Sequence, residues 1–197
     1  MTLRIPREEL LKRIGCQDHP HSRLLDIAED MMEAVATLAE TRRGFKEFRN
    51  GNNLPPFLED AALKYAAALT LGPKLEEKVK NLFAQGKAVE AYVLDTAGSV
   101  AVSREGDLLW DEIRKDAALK GFGQGLRRCP GCKGIDLQAQ RPLFESLEGL
   151  DLGITLTEAG MMVPRKSFSF LAGFGGNLQG IPSCTGCKHY TECTLRG

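Results

Sequence analysis

The apolar residues in the N-terminal part of the chain recur at helical spacing. A short helix is predicted over Pro6–Ile14, and Gly15 ends it. Ser22 is suited to begin a second, longer helix, because serine accepts a hydrogen bond from a backbone N–H of the first turn. Apolar residues then recur on one helical face at Leu24, Leu25, Ile27, Ala28, Met31, Met32, Val35 and Leu38.

The middle of the chain combines clear helix patterns with ambiguous segments. Three segments predict helices: Lys74–Gln85, Asp107–Leu119 and Leu137–Leu147. Phe45–Phe48 is predicted to begin a strand, whereas the Ala-rich segment Ala61–Thr70 fits a helix or a buried strand equally well. Ala88–Val102 mixes Ala, Val and Tyr with Asp95, Gly98 and Ser99, and its pattern indicates no single element.

Alternation of apolar and hydroxyl residues marks two segments near the C-terminal end. Ile154–Thr157 and Ser167–Leu171 both alternate with period two, as half-buried strands do. The predicted class is therefore α+β, with the strand signal concentrated in the second half of the chain. Gly121–Gly125 and Gly173–Gly176 are predicted to be flexible connectors, because neither carries a complete nucleotide-binding glycine motif.

Composition limits the classes of function. A chain of 197 residues, 43% of them hydrophobic, can form one substantial core, whereas two domains would each be thin. Lys plus Arg and Asp plus Glu both number 26, and the absence of a basic excess argues against a nucleic-acid partner. No apolar run reaches the roughly 18–20 residues of a membrane span, and the N-terminus lacks signal-peptide features. We expect a cytoplasmic protein without membrane association.

Cysteines form two tight groups. Cys129-Pro130-Gly131-Cys132 is one Cys-x2-Cys turn, and Cys184-Thr185-Gly186-Cys187 is another, followed by Cys193. Such a turn brings two sulfurs close enough to share one metal ion or cluster. Three interpretations stay open: a zinc ribbon formed by both turns, an iron–sulfur cluster held by the tail cysteines and one cysteine of the first turn, and thiols without metal. In the first two, residues 181–197 form a metal-binding tail.

Arg127 and Arg128 directly precede the first cysteine turn. Guanidinium groups there could bind a carboxylate or another anion, since their planar donors match its geometry. The alternative is surface charge that hydrogen-bonds to nearby helix carbonyls.

A wider pattern connects these features. Arg127-Arg128-Cys129-Pro130-Gly131-Cys132 is followed by Gln140, Leu156-Thr157-Glu158 with Met162-Val163-Pro164, and Lys166-Ser167-Phe168-Ser169. This order and spacing resembles the reactivation domain of cobalamin-dependent methionine synthase, and most closely its short stand-alone homologues with a cysteine-rich C-terminal tail. The resemblance covers nearly the whole chain and is strongest from Leu69 onward.

The resemblance implies a fold and a function. The fold would be a C-shaped α+β single domain over residues 1–180, with a twisted antiparallel sheet flanked by helices. Such domains bind S-adenosylmethionine and support the reductive methylation of cob(II)alamin. The partners would be a corrinoid-binding protein or methyltransferase and a low-potential electron donor. Because the chain lacks a corrinoid-binding Asp-x-His-x-x-Gly motif, the partner must supply the cobalamin.

The resemblance also implies roles for individual residues. Arg127 would bind the methionine carboxylate, Asp107 would hold the amino group, and Gly131 would let the backbone approach the ligand. Cys132 stands where the family has a tyrosine beside the ligand. Since a thiolate can bind a metal, we expect Cys132 to complete a site with the tail cysteines Cys184, Cys187 and Cys193, and Cys129 is the second choice.

Two functions from different classes follow. The first is a reductive activator of a corrinoid protein with S-adenosylmethionine as the ligand. The second is a non-catalytic subunit of a larger redox or methyl-transfer complex that binds a [4Fe-4S] cluster or zinc and keeps the fold without using S-adenosylmethionine.

Overall fold

The computed structural model describes residues 3–16, 18, 20–48, 55–132 and 134–175. In chain order its helices and strands are α1 Arg7–Arg13, α2 Ser22–Leu38, β1 Arg42–Phe48, β2 Leu63–Thr70, α3 Lys74–Ala84, α4 Ala88–Leu119, β3 Gly125–Arg128, α5 Gln140–Ser146, β4 Thr155–Leu156, β5 Met162–Val163 and β6 Ser167–Phe174. The segments Pro56–Leu58 and Leu137–Ala139 form short 3-10 turns.

The main sheet has four antiparallel strands in the order β1-β2-β6-β3, and β4 pairs with β5 in a separate hairpin. Of the six strands in the described residues, β3, β4, β5 and β6 lie in the second half of the chain as expected, but β1 and β2, which the sequence assigned only in part, supply half of the main sheet. The ambiguous Ala-rich segment is strand β2. Its alternation is hidden because β2 is a central strand that is buried on both faces.

Helices cover both faces of this sheet. On the α4 face, strand β6 contributes Phe168, Phe170 and Phe174 to a large core that also contains residues of α1, α2, α3 and α4. On the α5 face, Leu171 packs in a smaller core with Leu143 of α5. The period-two alternation of β6 therefore separates two cores. The α+β class, a single domain with an antiparallel sheet flanked by helices, is confirmed.

Helix α4 is much longer than the sequence predicts. It spans 32 residues, whereas the prediction covered only Asp107–Leu119. Its first half escaped prediction because it buries small residues on a broad face, so the contrast between its faces is weak. Gly98 and Gly106 do not break the helix. An added Cβ would lie 3.3 Å from the Lys166 side chain at Gly98 and 2.6 Å from the Phe168 ring at Gly106. These glycines allow the helix to lie close to β6.

The glycine-rich segments are only partly connectors. Gly125 begins strand β3 and Gly173 lies inside β6, so the prediction of flexible connectors is wrong at these two positions. At Gly125 an added Cβ would lie 2.3 Å from the Phe174 ring, which explains why this edge position has no side chain.

The predicted short helices at the N-terminus and before Gly86 are confirmed as α1 and α3. Helix α2 begins at Ser22, but His21 is its N-cap, since the His21 side chain accepts a hydrogen bond from the Arg23 N–H. Within the residues that the model describes, no helix could cross a membrane. The predicted metal-binding tail, residues 181–197, lies outside the described residues.

Candidate functional site

The Arg127 side chain connects the edge strand β3 to helix α4. Strand β3 is short, and its register pairs Arg127 with Ala172 of β6, a residue of the core on the α4 face. One terminal nitrogen of Arg127 donates to Asp107 Oδ1 at 2.5 Å, and the other donates to the Gly106 carbonyl oxygen at 3.1 Å. The two residues expected to hold an amino-acid group are therefore in direct contact.

Two aromatic rings contact the same guanidinium group. The Arg127 Cζ atom lies 5.9 Å from the centroid of Trp110 and 5.6 Å from the centroid of Phe170. Both distances fall in the range of cation–π attraction. The Arg127 side chain is only 15% exposed, whereas that of Asp107 is 54% exposed. The cation is thus fixed in the protein, and its carboxylate partner is accessible to solvent.

One turn of α4 supplies most of these contacts. The Gly106 carbonyl and the Asp107 and Trp110 side chains all contact Arg127, and Asp107 and Trp110 share a helix face because they are three positions apart. The contact with Phe170 comes from β6, the strand next to β3. Residues of both α4 and β6 therefore hold the Arg127 side chain.

The first cysteine turn begins directly after β3. The Cys132 N–H donates to the Cys129 carbonyl at 3.1 Å, and the Gly131 N–H donates to the Ile135 carbonyl at 3.1 Å. Gly131 has a φ of 83°, a conformation that favours glycine. The turn is therefore closed by its own backbone, and Gly131 and Cys132 follow Arg127 by only a few residues.

The two thiols of this turn interact. A hydrogen bond from the Cys129 thiol, a backbone hydrogen bond from Cys129 and the charge of Arg128 together lower the pKa of Cys132 to about 6, in spite of its partial burial. The turn therefore favours the thiolate form of Cys132, and the thiolate is the form that binds metals.

Of the four cysteines expected to bind the metal, the structure describes Cys132. Cys184, Cys187 and Cys193 lie outside the described residues. Over the part of the chain that is described, no three His, Cys, Asp or Glu side chains come together to hold a metal ion. The assignment of these cysteines and Cys132 as ligands stays a prediction.

The sequence did not predict the contacts that hold the Arg127 side chain. The three-residue spacing of Asp107 and Trp110 is the one signal that could have shown that they share a face. A buried cation on the same side of the sheet was also missed. Lys166 Nζ lies 2.8 Å from Asp95 Oδ1 and donates to Ser99 Oγ at 2.9 Å, and it joins the start of β6 to α4.

A cavity of about 610 Å³ lies elsewhere, on the α5 side of the sheet. Its lining includes Pro56, Ile135, Arg141 and Pro142. Ile135 belongs to the smaller core, whereas Arg127 contacts residues of the large one. The lining contains neither Arg127 nor any residue that contacts its guanidinium group, so the cavity is separate from the Arg127 site.

Comparison with known proteins supports the fold. No family model matches the chain, and no curated protein matches it. Among solved structures it is similar to the crystal structure of the MetH reactivation domain bound to AdoHcy, with a TM-score of 0.61 and 14% identity over 79% of this chain. The match spans 65% of the length of that chain. At this identity the likeness shows a shared fold, as the resemblance in the sequence implied.

Proposed function

We propose that the protein binds S-adenosylmethionine through Arg127 and Asp107 and acts as a reductive activator of a corrinoid protein. One observation carries the proposal. The two residues expected to bind the amino-acid group form an ion pair, on a fold similar to that of a domain solved with AdoHcy.

The ion pair matches the charges of an α-amino acid. The ligand carboxylate would replace Asp107 as the partner of Arg127, and the ligand ammonium group would pair with the displaced Asp107. Every charge keeps a partner in this exchange, which limits its cost. The exposed Asp107 is the member of the pair that can move, since Arg127 is enclosed by two rings. A ligand with a carboxylate alone would leave Asp107 without its cation, and we expect it to bind more weakly.

The cysteine turn would contact the part of the ligand beyond its amino-acid group. Gly131 presents no side chain and has the positive φ that favours glycine, and in this proposal its backbone approaches the ligand closely. Cys132 takes the place of the family tyrosine and offers a thiolate instead of a ring and a hydroxyl.

The reaction would need two further components. A corrinoid-binding protein or methyltransferase would supply cob(II)alamin, and a low-potential donor would supply one electron. The methyl group of S-adenosylmethionine would then pass to the reduced cobalt, giving methylcobalamin and S-adenosylhomocysteine. In this scheme the residues of this chain bind and orient the methyl donor.

A metal cofactor would be bound by cysteines of the first turn and of the tail. The lowered pKa of Cys132 supplies a thiolate of the kind that metals and clusters need. With Cys184, Cys187 and Cys193 it would hold a [4Fe-4S] cluster, and Cys129 is the second choice. A cluster would supply electron relay, whereas zinc would supply only folding free energy. Anaerobic visible spectra with metal analysis distinguish the two.

Calorimetry tests ligand binding directly. We expect S-adenosylmethionine and S-adenosylhomocysteine to bind, and Arg127→Ala to weaken binding by about 1.5–3 kcal/mol, through loss of a charge-assisted hydrogen bond. Arg128→Ala is the matched control, because its guanidinium group contacts the Arg127 carbonyl and is not part of the ion pair. Absence of binding by the unmodified protein would refute the activator proposal.

The second candidate is a non-catalytic iron–sulfur or zinc-binding subunit of a larger redox or methyl-transfer complex. The cysteine at position 132 favours this second candidate, because the family has a ligand-contacting tyrosine at that position. This function predicts stoichiometric metal together with no affinity for S-adenosylmethionine.

A further inference from the structure

Arg127 would depend on its remaining contacts once a ligand had displaced Asp107. Without that carboxylate, the guanidinium group keeps the Gly106 carbonyl and the faces of Trp110 and Phe170. A single carbonyl contact leaves an arginine free to rotate about its long side chain. The two rings restrict that rotation, because the planar cation is attracted to both.

Trp110 is itself held firmly. Its ring lies 5.4 Å from that of Phe174 at a tilt of 31°, and it meets Phe170 edge-on, with the centroids 6.2 Å apart. Both phenylalanines are fully buried residues of β6. The indole is therefore a rigid surface attached to the central sheet, in contrast to the exposed carboxylate of Asp107.

We propose that Trp110 is a positioning residue, which keeps Arg127 in its ligand-binding orientation when Asp107 leaves it. The ligand arm of the test rests on the proposed function, but the contact between Trp110 and Arg127 does not. Trp110 touches the ligand only through Arg127 in this assignment, so its effect must be confined to ligands that use Arg127.

The first measurement needs no ligand. Protons above an aromatic face resonate upfield, so we expect the Nε–Hε cross-peak of Arg127 to be shifted upfield in the protein. Trp110→Leu should move this cross-peak towards its ordinary position, and its absence in Arg127→Lys assigns it. Tyr92→Leu is the matched control, because Tyr92 is an exposed aromatic residue of the same helix. A cross-peak that Trp110→Leu leaves in place would overturn the proposal.

The second measurement compares two nucleosides. S-adenosylhomocysteine carries an amino-acid group, whereas 5′-methylthioadenosine lacks it. We expect Trp110→Leu to weaken S-adenosylhomocysteine binding by roughly 2- to 30-fold, the range of a cation–π contact, and to leave 5′-methylthioadenosine unchanged. In an Arg127→Ala background, Trp110→Leu should have no further effect, because its contribution passes through Arg127.

Each outcome decides between the possibilities. Equal weakening of both nucleosides would show that Trp110 merely supports the fold, and would overturn its positioning role. Unchanged affinity for S-adenosylhomocysteine would overturn it as well. If the unmodified protein binds neither nucleoside, the proposed function fails, while the Arg127 cross-peak still decides whether Trp110 positions the guanidinium group.

Discussion

Gly106→Ala tests whether close contact between helix α4 and strand β6 is required. The new Cβ would lie 2.6 Å from both Cδ1 and Cε1 of Phe168, and the Phe168 ring is buried in the large core. Alanine in place of glycine favours a helix by about 1 kcal/mol. Overpacking a buried ring costs about 1–3 kcal/mol, and contact with two ring atoms places this site near the upper end. We expect a net loss of about 1–2 kcal/mol.

Gly98→Ala is the matched control on the same helix. There the added Cβ would lie 3.3 Å from Lys166 Cε, a much milder contact that a shift of the lysine methylenes by a few tenths of an ångström relieves while its ammonium group keeps its partners. We expect this variant to be as stable as the unmodified protein or more stable by up to about 1 kcal/mol. Urea denaturation followed by circular dichroism measures both. With a slope of about 2 kcal/mol per molar, Gly106→Ala should unfold at a urea concentration about 0.5–1 M lower. A Gly106→Ala variant as stable as Gly98→Ala would refute the packing argument.

Two further predictions concern pH. The pKa of Cys132, lowered to about 6 chiefly by the Cys129 thiol, predicts that iodoacetamide alkylates it in the metal-free protein with a midpoint near pH 6; a midpoint near the ordinary value of about 8.5 would contradict this. Because this pKa is lowered on folding, the stability that the thiolate contributes is complete above the unfolded pKa and is lost as pH falls through about 6. Burial, followed by the hydrogen bond to Asp116, raises the pKa of Tyr65 to about 12. The stability from its neutral hydroxyl should therefore be complete below about pH 10 and lost as pH rises through about 12. Over this pH range the melting temperature of Tyr65→Phe should fall less steeply than that of the unmodified protein. Equal slopes for the two proteins would contradict the assignment.

Sequence patterns predicted the elements that bury one narrow face. Helices α1 and α3 were recognised because their apolar residues contrast with charged ones. Strand β2 and the first half of α4 were not assigned, since both bury small residues broadly and the periodicity is lost. Gly98 and Gly106 increased the difficulty, because a glycine that accommodates a neighbouring side chain cannot be distinguished in sequence from one that ends a helix.

The candidate site was accessible from sequence only in part. Arg127 and Asp107 were suggested by the resemblance, and their contact at 2.5 Å is consistent with a shared role. Their aromatic surroundings depend on the register of β3 against β6, which no local pattern specifies. Phe170 reaches Arg127 because Ala172, two residues further along β6, is the partner of Arg127 in the sheet.

The orientation of the Arg127 side chain depends on apolar and small residues of α4 and β6. Directly before β6, Lys166 lies against Gly98 and pairs with Asp95 of α4. Two residues later, Phe168 of β6 lies against Gly106. These two contacts determine how deeply β6 lies beneath the helix. That depth in turn determines where the next α4-facing residue, Phe170, meets the Arg127 guanidinium group. The orientation of Arg127 is therefore a property of helix–sheet packing, and the exposed Asp107 is the contact that the proposed ligand would displace without disturbing the core.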